Sequence, residues 1–144
     1  MKKLKKILLL AVVFALLINI TAVSKAARKV VSFDSIEGAV YTFDNVKGIK
    51  LSGNKVTITG TLNRILPDDN YKKITQKKFT FKISAKVKQY ECEDEWYYNG
   101  KVKKSAFIKT SKTSIKTKKA EGYHFPCVYF WTKNGKIISY ATSA

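Results

Sequence analysis

Residues 123–142 read YHFPCVYFWTKNGKIISYAT. Past the middle stands Asn134-Gly135, flanked by Lys133 and Lys136. A two-residue type I′ turn needs positive φ at both central positions, and Asn followed by Gly meets that demand at least steric cost. The stretch therefore reads as two strands folded back on each other. Counting outward from the turn sets Thr132 opposite Ile137, Trp131 opposite Ile138, Phe130 opposite Ser139 and Tyr129 opposite Tyr140. On that count Cys127, Tyr129 and Trp131 share a face with Ile138 and Tyr140, while Val128 and Phe130 take the other. Both faces are partly apolar, which suits a hairpin inside a closed or doubly covered sheet.

The same strand chemistry recurs upstream. Over residues 49–62, Gly53-Asn54 supplies a turn, and Val56, Ile58, Gly60 and Leu62 alternate with Thr57, Thr59 and Thr61. Period-two alternation with Thr outward marks a half-buried strand, and Gly60 within it marks a bulge or tight bend. Residues 36–43 (IEGAVYTF) read as a strand bent at Gly38, after a basic lead-in whose Val30, Val31 and Phe33 start a first strand. Asp44-Asn45 and Lys47-Gly48 read as turn chemistry. Residues 77–91 form one long strand with Phe79, Phe81 and Ile83 on one side, and a break near Ala85 would let it serve both sides of a barrel. Ser105 is a fair N-cap, and Phe107, Ile108, Ser111 and Ile115 keep helical spacing. The Ser and Thr content lowers helix propensity, so the expectation is a short helix with a frayed end near residue 117.

The beginning of the chain has a different composition. Lys2, Lys3, Lys5 and Lys6 precede an unbroken apolar run over residues 7–18, and Ala22-Val23-Ser24 offers a small-x-small cleavage site. This is the pattern of a secretory signal peptide over residues 1–24, cleaved near residues 24–26. The run is short for a bilayer span. Residues 25–144 then form a single β-rich domain, secreted or held at the cell wall by non-covalent contacts.

The 144-residue chain carries a formal net charge of +18. Four of those charges lie in residues 1–24, which hold no acid, so +14 belongs to the remainder. Two readings compete. One is a polyanionic partner: a wall polymer, anionic lipid, nucleic acid or acidic glycan. The other is a solubilising coat, since Lys78, Lys82, Lys86 and Lys88 mark the wet side of a strand. The densest basic patch is the helix segment with Lys109, Lys112, Lys116, Lys118 and Lys119, the expected site for an anionic ligand.

Glu91, Glu93, Asp94 and Glu95 precede Trp96, Tyr97 and Tyr98, and Asn99-Gly100 then reads as a turn. The three aromatics are the alternative site, as anchors for a protein partner, which requires them to cluster exposed on one surface. A hydrolase reading of the acids ranks last, because a glycosidase needs two carboxylates across a cleft. No catalytic residues, metal ligands or cofactor site are assigned. Asp68-Asp69-Asn70 lacks the alternating ligands of a calcium loop, and His124 has no nucleophile or orienting acid at useful spacing. Cys92 and Cys127 are an even pair in an exported chain, so a disulfide is expected, contributing roughly 3–4 kcal/mol.

The order of strand, hairpin, strand, strand, short helix and closing hairpin resembles a small OB-fold-like barrel of about five to six antiparallel strands. A small open β-sandwich built from the same hairpins is the alternative. FTFKIS (residues 79–84), KKSAFIK (103–109) and KNGKIISYATS (133–143) also resemble segments of small uncharacterised secreted proteins of clostridia-type Gram-positive bacteria. That resemblance runs from about residue 56 onward and implies an exported small barrel, with no functional residues carried over. The reading is therefore an exported, non-enzymatic binding module for an anionic polymer or cell-surface component. No cofactor is expected, nor a membrane span once the leader is cleaved.

Overall fold

The computed structural model describes residues 28–67, 70–74, 78–121 and 128–143, without side-chain detail at Asp44 or residues 118–121. In chain order the elements are β1 (Lys29–Val30), a 3-10 turn (Phe33–Ser35), β2 (Ala39–Ser52), β3 (Lys55–Ile65), β4 (Tyr71–Ile74), β5 (Lys78–Cys92), β6 (Trp96–Lys103), α1 (Lys104–Glu121), β7 (Tyr129–Lys133) and β8 (Lys136–Ser143). The strands form one sheet in the order β1-β6-β5-β8-β7-β2-β3-β4. A further pairing of β5 with β3 closes β2, β3, β5, β7 and β8 into a five-stranded barrel. α1 lies between the third and fourth barrel strands, so the protein is a small OB-like barrel. The β3–β5 ladder, from Lys55 opposite Lys82 to Thr59 opposite Lys78, removes the open sandwich.

The closure is not wholly antiparallel, because β8 runs parallel to β5. β5 serves both sides as its length suggested. Its first part pairs with β3 and its last part with β6, and its register with β8 jumps between Ile83 and Lys88.

The closing hairpin keeps its turn, with φ of 51° at Asn134 and 68° at Gly135. Thr132 faces Ile137 as counted. Beyond it the count slips by one: Trp131 faces Ser139, Phe130 faces Tyr140 and Tyr129 faces Ala141. Ile138 is the extra residue of a β-bulge. The slip carries Tyr140 to the barrel interior with Phe130 and leaves Trp131 and Ile138 outside.

Bulges also replace three expected turns. β2 runs continuously through Asp44-Asn45 and Lys47-Gly48, with register shifts at both places. Asn99 is the unpaired residue of a bulge in β6, since Gln89 faces Gly100 and Tyr90 faces Tyr98. The β2 shifts bring that strand hard against β3. A Cβ on Gly60 would sit 2.1 Å from the Asn45 carbonyl oxygen, at φ 138°. Only glycine permits both that approach and that backbone conformation.

Two apolar clusters result. The barrel interior holds Phe43, Val56, Ile58, Leu62, Phe79, Ile83, Val87, Val128, Phe130, Ile137 and Tyr140. α1 adds Phe107, whose ring lies 5.5 Å from Tyr140 and 6.1 Å from Phe130. The helix is longer than expected, at 18 residues, and begins at Lys104 rather than after a Ser105 cap. Its buried Ser111 hydroxyl donates to the Phe107 carbonyl at 2.7 Å, so that polar group enters the core satisfied.

The second cluster lies on the outer surface of the sheet. Ile36, Tyr90, Trp131 and Ala141 are buried there, with Phe33, Trp96, Tyr98, Tyr129 and Ile138 packed against them. The segment over residues 28–38 straps across this cluster. Val31 N–H donates to the Trp96 carbonyl at 2.7 Å, and the Phe33 ring sits 4.9 Å from Trp96 and 5.4 Å from Trp131.

Candidate functional site

Strand alternation decides which way each lysine points. In β5, Phe79, Ile83 and Val87 are buried in the barrel, so Lys78, Thr80, Lys82, Lys86 and Lys88 face out, and all are exposed. Register then sets what lies beside them. Lys82 stands between Lys55 of β3 and Lys136 of β8. Lys86 faces Lys103, and Lys88 faces Lys101, both on β6. Thr80 faces Thr57, which in turn faces Lys50 of β2. Thr59 lies opposite Lys78. The outer face of β5 and its neighbours is thus a field of lysines and hydroxyls in cross-strand register.

Hydrogen bonds pin the middle of that field. Ile83 N–H donates to the Asn54 carbonyl at 2.8 Å, and Lys82 N–H donates to the Gly135 carbonyl at 3.2 Å. Both tight hairpin turns therefore close on β5 where β3 gives way to β6. Lys104 Nζ donates to the Gly53 carbonyl at 2.9 Å and ties the start of α1 to the same point.

Like charges directly opposite on a sheet destabilise it. Among the described residues no salt bridge joins Lys55, Lys82, Lys86, Lys101, Lys103 or Lys136 to a carboxylate. Glu37 is an acid that one end of the field, Lys88, reaches by charge. A hydrogen bond and the charge of Lys133 hold its carboxyl below the usual range, and Lys88 adds to the effect.

The acids gather instead at the far end of β5. Arg28 reaches Glu91 and Glu93, each at 3.1 Å, and lies 5.7 Å over the Tyr97 ring. The Asn99 amide donates to Glu91 at 3.1 Å, and the Tyr97 hydroxyl donates to Glu95 at 3.4 Å. Glu91, Glu93 and Glu95 are tied in this way at one strand end, whereas glycoside hydrolysis needs two carboxylates facing each other across a cleft.

The expected helix site is partly described. Lys109, Lys112 and Lys116 are exposed along α1. Lys118 and Lys119 lie in its last turn, where side chains are not described. The aromatic alternative does not assemble as one surface. Trp96 and Tyr98 pack into the outer cluster, Trp96 at 6.1 Å from Trp131 and Tyr98 at 5.5 Å from Tyr90. Tyr97 is excluded from that cluster and meets Arg28 instead. A strand sends neighbours to opposite faces, so three consecutive aromatics cannot share one.

The expected bridge between Cys92 and Cys127 is not seen. Cys92 is a half-buried free thiol whose Sγ lies 3.6 Å from the Glu93 carbonyl. Burial and then the charge of Asp94 push its pKa up. Cys127, His124, Asp68, Asp69 and residues 1–24 lie outside the described residues. Among the described residues no group of three His, Cys, Asp or Glu side chains gathers to hold a metal.

Sequence reasoning noted Lys78, Lys82, Lys86 and Lys88 but not their lysine partners. The alternation was visible in β5. The registers that place Lys55, Lys101, Lys103 and Lys136 beside them are tertiary. No protein-family model matches the chain, and neither a curated protein nor a solved structure matches it significantly.

Proposed function

We propose that this protein is an exported, non-enzymatic binding module for an anionic polymer or surface, and that the lysine face of β3, β5, β6 and β8 is its contact. One observation carries the reading: lysine stands opposite lysine in three neighbouring registers, Lys55–Lys82–Lys136, Lys86–Lys103 and Lys88–Lys101. A solubilising coat gains nothing from that arrangement and loses stability by it. A polyanion supplies the missing counter-charge, so repulsion in the free protein becomes affinity in the complex. By analogy of architecture, the outer surface of the second and third barrel strands, here β3 and β5, is where OB barrels take extended ligands. The leader-like composition of residues 1–24 supports export, and with it a ligand outside the membrane, such as a wall polymer.

The test is retention of the protein on heparin and on purified cell wall across a salt gradient, beside a variant carrying Lys82→Gln, Lys86→Gln and Lys88→Gln. Tight retention that falls steeply with salt, and falls further in the variant, is the expected result. Retention that persists at about half-molar salt, or that the variant keeps in full, refutes the assignment.

A further inference from the structure

The lysine face has features that narrow the ligand's chemistry beyond its charge. The first is that, among the described residues, no outward ring stands between Lys78 and Lys88. The aromatics of β5 that border the field, Phe79 and Phe81, point into the barrel: Phe79 is buried, and Phe81 packs at 6.0 Å from Tyr41 and 5.7 Å from Phe130. Tyr90 and Tyr98, which follow the lysines, are taken up by the outer aromatic cluster. Between the lysines stand Thr57, Thr59 and Thr80, whose hydroxyls donate to oxyanions; those of Thr57 and Thr80 lie 3.4 Å apart. Proteins that hold single-stranded nucleic acid place aromatic side chains along the groove for bases to stack on. Among the described residues, the stretch from Lys78 to Lys88 offers bases no such platform.

The second feature is the absence of an apolar wedge. The exposed large hydrophobics among the described residues are Val30, Leu51 and Tyr71. Val30 and Tyr71 belong to β1 and β4, and Leu51 takes the register of inward-facing Val56. A surface helix or loop that settles into a bilayer buries apolar side chains beneath its cations. Here the cations stand on a sheet of threonines.

The third feature is a finite length. From Lys78 to Lys88 the strand advances ten residues, or about 33 Å at strand rise. The row then ends at Tyr90, the next outward position, which the outer aromatic cluster buries.

Resting on the polyanion reading above, we infer that this face takes a linear, flexible, base-free polyanion whose phosphate or sulfate groups recur along its backbone and lie along β5. The contacts are point charges and hydroxyls. Affinity therefore follows the number of oxyanions within the track and ignores what lies between them. Lysine, unlike arginine, imposes no bidentate geometry, which suits an irregular flexible chain.

The experiment is competition on the full-length gene product as its expression host processes it. A fluorescent polyphosphate is displaced by unlabelled inorganic polyphosphate of graded length, by heparin, by poly(dT), and by vesicles of mixed neutral and anionic lipid. Compared at equal phosphate concentration, polyphosphate and poly(dT) are expected to compete within about threefold of each other, without quenching of tryptophan fluorescence. Affinity should rise with polyphosphate length and level off once the chain exceeds the track of about 33 Å. Comparable competition by heparin extends the ligand class to sulfated glycans, while much weaker competition restricts it to phosphate chains. Poly(dT) competing more than about tenfold better than polyphosphate, with quenching, overturns the proposal in favour of base stacking. Vesicles outcompeting every soluble polymer overturn it in favour of a membrane surface. If no polymer binds even at low salt, the polyanion reading itself fails, which is a distinct result.

Discussion

The two ends of β5 treat charge in opposite ways. From Lys82 to Lys88 its outward cations face other cations, Lys55 and Lys136 at Lys82, Lys103 at Lys86 and Lys101 at Lys88. A few residues on, acids have found partners: Glu91 and Glu93 hold Arg28, Glu91 also accepts from Asn99, and Glu95 accepts from Tyr97. One strand and one solvent are common to both ends. Glu91 and Glu93 are paired with a cation because that pairing anchors the strap over residues 28–38, which covers the outer aromatic cluster. At the basic end Lys82 and Lys86 face lysines and no described salt bridge ties either to a carboxylate. Charge that the structure needs is paired within the chain, and charge left facing its own kind is available to something outside it.

Reversing the basic end gives the largest effect. Lys55→Glu, Lys82→Glu and Lys136→Glu together should abolish retention on polyanions at low salt, a loss of about a hundredfold or more, with circular dichroism unchanged. Retention preserved in that variant would break the comparison.

The boundary between the ends is marked by Tyr90, where the lysines stop and the aromatics begin. Burial pushes the Tyr90 phenol up, with the neighbouring Tyr98 adding to it, and burial likewise pushes up Tyr140 in the barrel. A raised folded-state pKa gives stability that is whole below the ordinary tyrosine value of about 10 and is lost as pH climbs through the folded value. Alkaline unfolding should therefore coincide with a late, cooperative step in the tyrosine absorbance titration. Smooth ionisation of every tyrosine near the ordinary value, with the fold intact, would count against this burial.

Neutralising single charges should shift stability in opposite directions at the two ends. Lys86→Gln relieves a like-charge pair and should raise stability by about 0.5 kcal/mol in low salt. Arg28→Gln removes the clasp on Glu91 and Glu93 and should lower it by about 1 kcal/mol. Denaturant midpoints at low and high salt would measure both, and salt should shrink the difference. The same sign for both variants would show that the two ends do not differ.

The smallest effect is expected at the helix. Lys109→Gln, Lys112→Gln and Lys116→Gln together should change polyanion retention by no more than about threefold, the share of general charge rather than of a site. A collapse of retention would transfer the contact from the sheet to α1.

Much of this fold was legible because short-range chemistry fixed it. Asn134-Gly135 and Gly53-Asn54 are turns, Gly60 is the point of closest strand approach, and Phe107, Ile108 and Ser111 form the buried side of a helix. The errors share one cause. Asp44-Asn45, Lys47-Gly48 and Asn99-Gly100 have turn composition, yet each lies at a bulge inside a continuous strand. Turn residues satisfy a bulge as well as a reversal, and only pairing with a neighbour distinguishes the two. The Ile138 bulge had no such signal, so the hairpin count failed one residue past Thr132. Of the candidate site, the outward phase of Lys78, Lys82, Lys86 and Lys88 was legible, whereas the lysines that face them were not.

The sequence by itself determined the leader-like start, the excess of lysine, the strand alternation and the hairpin turns, because each rests on a residue and its immediate neighbours. Tertiary structure decided the rest. It closed the barrel by laying β3 and β8 on the two sides of Lys82, used bulges to set the curl, and split the aromatics between an inner and an outer cluster. It also turned scattered lysines into rows of like charge. A strand's own residues settle which face each side chain takes; what stands opposite is settled by the register of other strands, and that register follows from burying the whole apolar set at once.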